Sequence, residues 1–359
     1  MKYINEYRDK KLVYALSEEI KKVSKKAVRF MEVCGGHTVS IHKFGLKSLL
    51  PETITLLSGP GCPVCVSSQQ YINKAIAYSR LEDVIITSFG DLLRVPGTSS
   101  TLAKEKAKGG DIRVVYSPID ALRIARLHPE KKVIFLGIGF ETTAPCIAAS
   151  IKQASIEGLA NYFVYSTHKV MPPAMTAIIT EGILIDGYIC PGHVSAITGS
   201  SIYDLYPKKF KVGAVIAGFE PVDLLQSILM LVKQIENDNP MVEIQYKRAV
   251  KQKGNEKAMQ LLNEIFTLRD DVWRGLGVLI KSGLGISKKY EKFDAEKMIQ
   301  VTEEPSFENP GCICGDILKG LKTPNECPLF RKVCTPVNPI GACMVSNEGA
   351  CGAYFKYAV

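Results

Sequence analysis

The chain has 359 residues, 46% of them hydrophobic and 23% charged, and a formal charge of +9. That length allows two or three domains, and the balance argues against a disordered or fibrous chain. The positive charge is spread over small clusters such as "KKVSKK" (21–26) and "YKRAVKQKGNEK" (246–257). Neither is interleaved with aromatics, so solvated helix faces are expected and nucleic-acid binding is not.

The opening "MKYINEYRDKK" lacks the apolar segment of a signal peptide, and no apolar run approaches the roughly 18 residues that span a bilayer. A cytoplasmic protein without membrane contact is therefore expected. Eleven cysteines in a reducing compartment then point to metal or redox chemistry rather than structural disulfides.

A leading helix is expected over 6–28. From there to about residue 235, short β-rich runs alternate with segments of helical periodicity, the pattern of a parallel sheet covered by helices. The candidate strands are "RFMEV", "TITLLS", "DVIITSF", "DIRVVYS", "KKVIFLGI", "NYFVYST", "DGYIC" and "VGAVIAG". They suit an α/β fold of two Rossmann-like units around a central cleft, split near "LHPEKK" (127–132). The units are then residues 1–127 and 128–238. After "NDNP" the alternation stops, and "NEKAMQLLNEIFTLRDDVWRGLG" reads as a long helix leading into a loop-rich tail. Residues 239–359 form a third domain, too poor in apolar elements to hold together without staples that its cysteines can supply.

Nearly every unusual motif follows a candidate strand: "CGGHT", "GPGCPVC", "FGDLLRVPG", "GFETTAP", "THKVMPPA", "CPGHVSAITG" and "GFEP". Loops beyond the carboxyl ends of parallel strands line the binding crevice, so these loops are expected to converge on one cleft. Cys62 and Cys65 have the spacing of a reversible dithiol or of half a metal site, and a following helix favours thiolate; inert packing is the bland alternative. Cys34 and His37 sit at the preceding strand end, separated by two glycines. Further cleft candidates are Asp91, Arg94, Glu141, Thr142, His168, His193 and Glu220, each of which, taken alone, reads as a cap or loop residue. His42 and His128 are read as structural, and Cys146 and Cys190 as packing.

In the tail, Cys327, Cys334, Cys343 and Cys351 are separated by 7, 9 and 8 residues with Pro and Gly between them. That spacing suits a loop wrapped around a 4Fe-4S cluster better than the paired C-x-x-C ligands of a zinc knuckle. Cys312 and Cys314 remain as a C-x-C pair that exchanges electrons with the cluster or lends it one ligand. Neither a phosphate-binding loop nor a dinucleotide fingerprint occurs, so no nucleotide is expected.

Taken together, "MEVCGGHT", "GPGCPVC", "FGDLLRVPG", "GFETTAP", "PGHVSAITG", "GFEP" and "CTPVNPIGACMVSNEGACGAYFKY" resemble the HypD family of hydrogenase-maturation proteins, from about residue 30 to the C-terminus. The resemblance implies a scaffold on which the Fe(CN)2CO centre of nickel–iron hydrogenases is assembled with the small chaperone HypC, HypE supplying cyanide. It implies iron bound at Cys34 with His37 nearby, Cys62 and Cys65 as a redox pair, and a 4Fe-4S cluster in the tail, for which Cys327, Cys334, Cys343 and Cys351 are the expected ligands. Two departures from the family pattern, Arg331 for glycine and Asn347 for serine, fall between those ligands. Two other readings compete: a free-standing thiol–disulfide oxidoreductase that needs no iron at Cys34, and a zinc-stapled binding protein.

Overall fold

The computed structural model describes residues 5–358. Its parallel strands are β1 (Val28–Glu32), β2 (Ile54–Ser58), β3 (Val84–Ser88), β4 (Ile112–Val114), β5 (Lys132–Gly137), β6 (Tyr162–Ser166), β7 (Gly187–Pro191), β8 (Gly213–Ala217) and β9 (Val242–Ile244). All eight expected strands form. β3, β5, β6, β7 and β8 are buried along almost their whole length, as strands covered on both faces must be, which is why they read as continuous apolar runs. β9 is only three residues long, too short to show a period.

The strands form two sheets, in the orders β2-β1-β7-β8-β9 and β4-β3-β5-β6. They do not divide near residues 127–132. β5 pairs directly with β3, and β7 pairs with β1 across the whole intervening sheet. The second sheet is thus inserted between the second and third strands of the first. Local patterning reports which segments are strands, but partner choice is decided by tertiary packing and leaves no local mark.

Each sheet reverses its winding direction once. In the first, the chain moves outward from β1 to β2 on one side and from β7 to β8 on the other; in the second, β3 leads to β4 and β5 leads to β6 in opposite directions. At such a switch point the neighbouring loops diverge and leave a crevice beyond the strand ends. The two crevices coincide, and this places the site.

The first helix spans Lys10–Val23, shorter than expected, with Asp9 capping the amides of Lys11 and Leu12. It packs against the helix Pro221–Glu236 on the first sheet. The long helix expected after residue 254 stops at Ile265. It gives way to an antiparallel hairpin, β10 (Phe266–Trp273) and β11 (Gly277–Ile286). From Phe266 onward, β-branched and aromatic residues favour strand, and Trp273 is driven fully into the core. The tail has only short helices, Cys314–Leu318, Ala342–Val345 and Ala350–Tyr357. Phe330, Cys334, Met344 and Tyr354 form a small core of its own. Among the described residues, no helix is long and apolar enough to cross a membrane.

Candidate functional site

A cleft of about 690 Å³ opens where the strand-end loops meet. Cys34 follows β1, Gly61, Pro63 and Val64 follow β2, Asp91 follows β3, Thr142 follows β5, Met171 follows β6 and His193 follows β7. Ser346, Asn347 and Glu348 of the tail close one wall. The glycines around Cys34 are there for close approach. A Cβ on Gly61 would lie 2.4 Å from the Cys34 backbone, one on Gly35 would lie 2.4 Å from the Glu348 carbonyl, and one on Gly36 would press on Phe219 at 3.0 Å. The Gly35 amide also donates to Gly61 at 3.0 Å, tying the first two loops together.

Behind Cys34 lies Glu32, buried and pushed up to about 8 by desolvation, which accepts from Thr38 Oγ1 at 2.6 Å. Burial, reinforced by the nearby Glu348 carboxyl, pushes the Cys34 thiol up to about 12. A thiol raised in this way stays protonated at neutral pH. His37 is fully buried, and burial lowers it to about 4; its Nε2 lies 3.3 Å from the Ala217 carbonyl and its Nδ1 has no partner.

Cys62 and Cys65 are disulfide-bonded, with Cα atoms 5.2 Å apart. Both sulfurs are buried, and the neighbouring Gly61, Pro63 and Val64 form the cleft surface above them. The turn Pro63–Val66 packs against Ala342–Val345, the tail helix that carries Cys343.

All six tail cysteines, Cys312, Cys314, Cys327, Cys334, Cys343 and Cys351, line one small cavity together with Ile317, Leu329, Phe330, Gly341 and Met344. The donors are all soft sulfur in an apolar shell, and a Cβ at Gly341 would crowd the Cys312 sulfur at 2.9 Å. Burial pushes up the Cys312 and Cys351 thiols, and their neighbouring sulfurs push them further. A nest of this kind is unfavourable as bare thiolates and suits an iron–sulfur group that neutralises them. Among the described residues, no three His, Cys, Asp or Glu side chains converge as ligands of a single ion. The Cys314 and Cys343 sulfurs lie 2.8 Å apart. The hydrogen bond between the two sulfurs lowers Cys314 and raises Cys343.

The family model described as HypD, hydrogenase formation hypA family, matches residues 10–358. The chain belongs to the HypD family. It is 45% identical to the hydrogenase maturation factor HypD2 of Bradyrhizobium diazoefficiens, over 99% of this chain and 97% of that one. It is 44% identical to the hydrogenase maturation factor HypD of Rhizobium leguminosarum, over 99% and 96%. The Escherichia coli hydrogenase maturation factor HypD is 40% identical over 99% and 98%.

Within this HypD-family fold, Cys34, Asp91, Thr142 and His193 line the cleft. Glu141 lies buried between two lining residues, with Oε1 accepting from the Met171 amide at 3.0 Å and Oε2 unpartnered. Burial raises it to about 7. Arg94 turns to the tail, donating to the Val345 carbonyl at 3.2 Å. His168 is not at the cleft. Its Nδ1 lies 2.9 Å from Ser166 Oγ and its backbone carbonyl accepts from Leu284 of the hairpin, so the chain reaches the cleft only at Met171. Glu220 pairs with Arg8 and joins a capping box at the start of Pro221–Glu236, away from the lining. The sequence reading did not single out Glu32, Phe219 or Glu348. Phe219 sits inside the quoted "GFEP" loop, where a large apolar residue after a strand end was the available signal.

Proposed function

We propose that this chain holds an iron ion at Cys34 while cyanide and carbonyl ligands are added to it, yielding the Fe(CN)2CO centre of nickel–iron hydrogenase, with HypC and HypE as cytoplasmic partners. The observation that carries the reading is the convergence of both sheets' switch points on one cleft with Cys34 in its lining. One cysteine leaves most of an iron's coordination positions open to incoming ligands and to a donor from a partner such as HypC. The protein's part is to bind the ion through Cys34, shield it within the crevice and offer it Asp91, Thr142 and His193 as polar contacts.

A 4Fe-4S cluster, when held by the tail thiols, supplies electrons one at a time. Its expected ligands are Cys327, Cys334, Cys343 and Cys351, with Cys314 beside Cys343. The helix carrying Cys343 borders the turn carrying Cys65. Reduction of the Cys62–Cys65 disulfide takes two electrons and two protons and yields two thiols beneath the cleft surface. A free-standing oxidoreductase would need that disulfide open to a protein substrate, and its burial weighs against this reading.

The test is infrared spectroscopy of the anaerobically purified protein with HypC. Cyanide and carbonyl stretches are expected in the wild type and not in Cys34→Ala; a Cys34→Ala protein that keeps the bands would overturn the assignment.

A further inference from the structure

His193 is the cleft residue whose orientation is hardest to explain from hydrogen bonding. Its ring is open to the cleft, and among the described residues no hydrogen bond holds it. What it has instead is Phe219. The two rings stack at 4.0 Å between centroids with 25° between their planes. Phe219 also reaches His37 at 4.8 Å and lies where a Cβ on Gly36 would stand 3.0 Å from its ring. One ring thus touches both histidines and the glycine that follows Cys34 by two positions.

Phe219 is itself braced from behind. Tyr246 meets it edge-on at 5.9 Å, and Arg248 lies over Tyr246 at 4.4 Å while forming a two-pronged ion pair with the fully buried Asp223. Glycine at 192 lets Tyr246 come close beside His193, since a Cβ there would stand 2.7 Å from the tyrosine ring. A stack of this kind fixes the plane of an imidazole without using either ring nitrogen. A hydrogen bond would have occupied one.

We infer that Phe219 is a positioning residue of the cleft: it holds the His193 ring in place by stacking alone, so that both nitrogens remain available to the iron cargo or to its cyanide and carbonyl ligands. The inference rests on the iron-assembly reading above and extends it from the sulfur at Cys34 to a nitrogen donor supplied by the second half of the chain.

The experiment compares wild type with Phe219→Leu, Phe219→Met and Phe219→Tyr in two measurements. The first is NMR of the histidine rings in iron-free protein, where His193 ring protons over the Phe219 face are shifted upfield. The second is Cys34-dependent iron retained after anaerobic purification with HypC. Phe219→Leu should lose the upfield shift and retain about tenfold less iron, the size of effect one aromatic stack supplies. Phe219→Met, which fills the space without a ring, should behave the same way if the leucine variant folds poorly, and Phe219→Tyr should restore both signals. Iron retention that survives loss of the ring shift overturns the inference alone. Wild-type iron that ignores Cys34→Ala overturns the assembly reading and this inference together.

Discussion

The cleft and the tail pocket both gather cysteines, but they are built in opposite ways. In the cleft, Cys34, Asp91, Thr142 and His193 follow β1, β3, β5 and β7, each paired with a neighbour on both sides, and glycines such as Gly61 let neighbouring loops lie directly on the Cys34 backbone. In the tail, six sulfurs are carried by loops and by helices of at most eight residues, one of them reached through Arg331 in a left-handed conformation with φ of 60°. The first geometry is imposed by the fold. The second depends on what the sulfurs bind, and the difference teaches where damage should spread.

The largest expected effect therefore lies in the tail. If the tail holds the proposed cluster, Cys327→Ser with Cys334→Ser should abolish the visible absorption of an iron–sulfur protein and lower the free energy of local opening across residues 312–358 by on the order of 5 kcal/mol, because cluster binding would then be folding energy. Amide exchange should show the loss confined to the tail. Equal deprotection of β3 and β5 would erase the contrast between the regions.

Next comes the buried carboxyl of the cleft. Burial holds Glu141 at about 7 against its ordinary 4.5, so the folded chain keeps a proton that the unfolded chain releases. Its contribution is full below about pH 4.5 and falls by about 3 kcal/mol as pH rises to about 7. Glu32 adds a slope of the same sign. Glu141→Gln should flatten the Glu141 share, so thermal unfolding at pH 5 and pH 8 should differ less in the variant than in wild type.

A smaller effect is expected at the joint between the first two loops. Gly61→Ala places a Cβ 2.4 Å from the Cys34 backbone, and overpacking of this kind costs about 2 kcal/mol. Urea unfolding should show it, and Cys34 alkylation should speed up as the loops part. The smallest concerns Arg331→Gly. Glycine relieves the left-handed strain but removes hydrogen bonds from the guanidinium to the carbonyls of Tyr354, Phe355 and Ala358. The two should cancel to within about 1 kcal/mol, and a larger loss in a melting curve would show that the arginine staples the last helix.

How much of this was legible followed burial. Strands covered on both faces announced themselves as continuous apolar runs, and loops such as "CGGHT" and "GPGCPVC" marked their ends. The order of those strands within the sheets was not legible, because β1 finds β7 through contacts no local window contains. The hairpin after Ile265 was hidden by the charges of "LRDD", which suit a solvated helix as well as an exposed strand. His168 looked like a cleft residue because its loop follows a strand, yet the loop first turns inward under the hairpin. Spacing within the tail identified a sulfur-rich nest but could not reveal that Cys314 and Cys343, 29 positions apart, meet inside it.

The insertion of one sheet into the other also constrains the order in which the molecule forms. β1 and β2 emerge first during synthesis, but β1 waits for its inner neighbour until Gly187 to Ile189 have been made. By then every strand of the second sheet is available, with partners close in sequence and little loop-closure cost. The first sheet therefore cannot complete its β1–β7 ladder, on which the crevice holding Cys34 depends, until all the strands of the second sheet have been made.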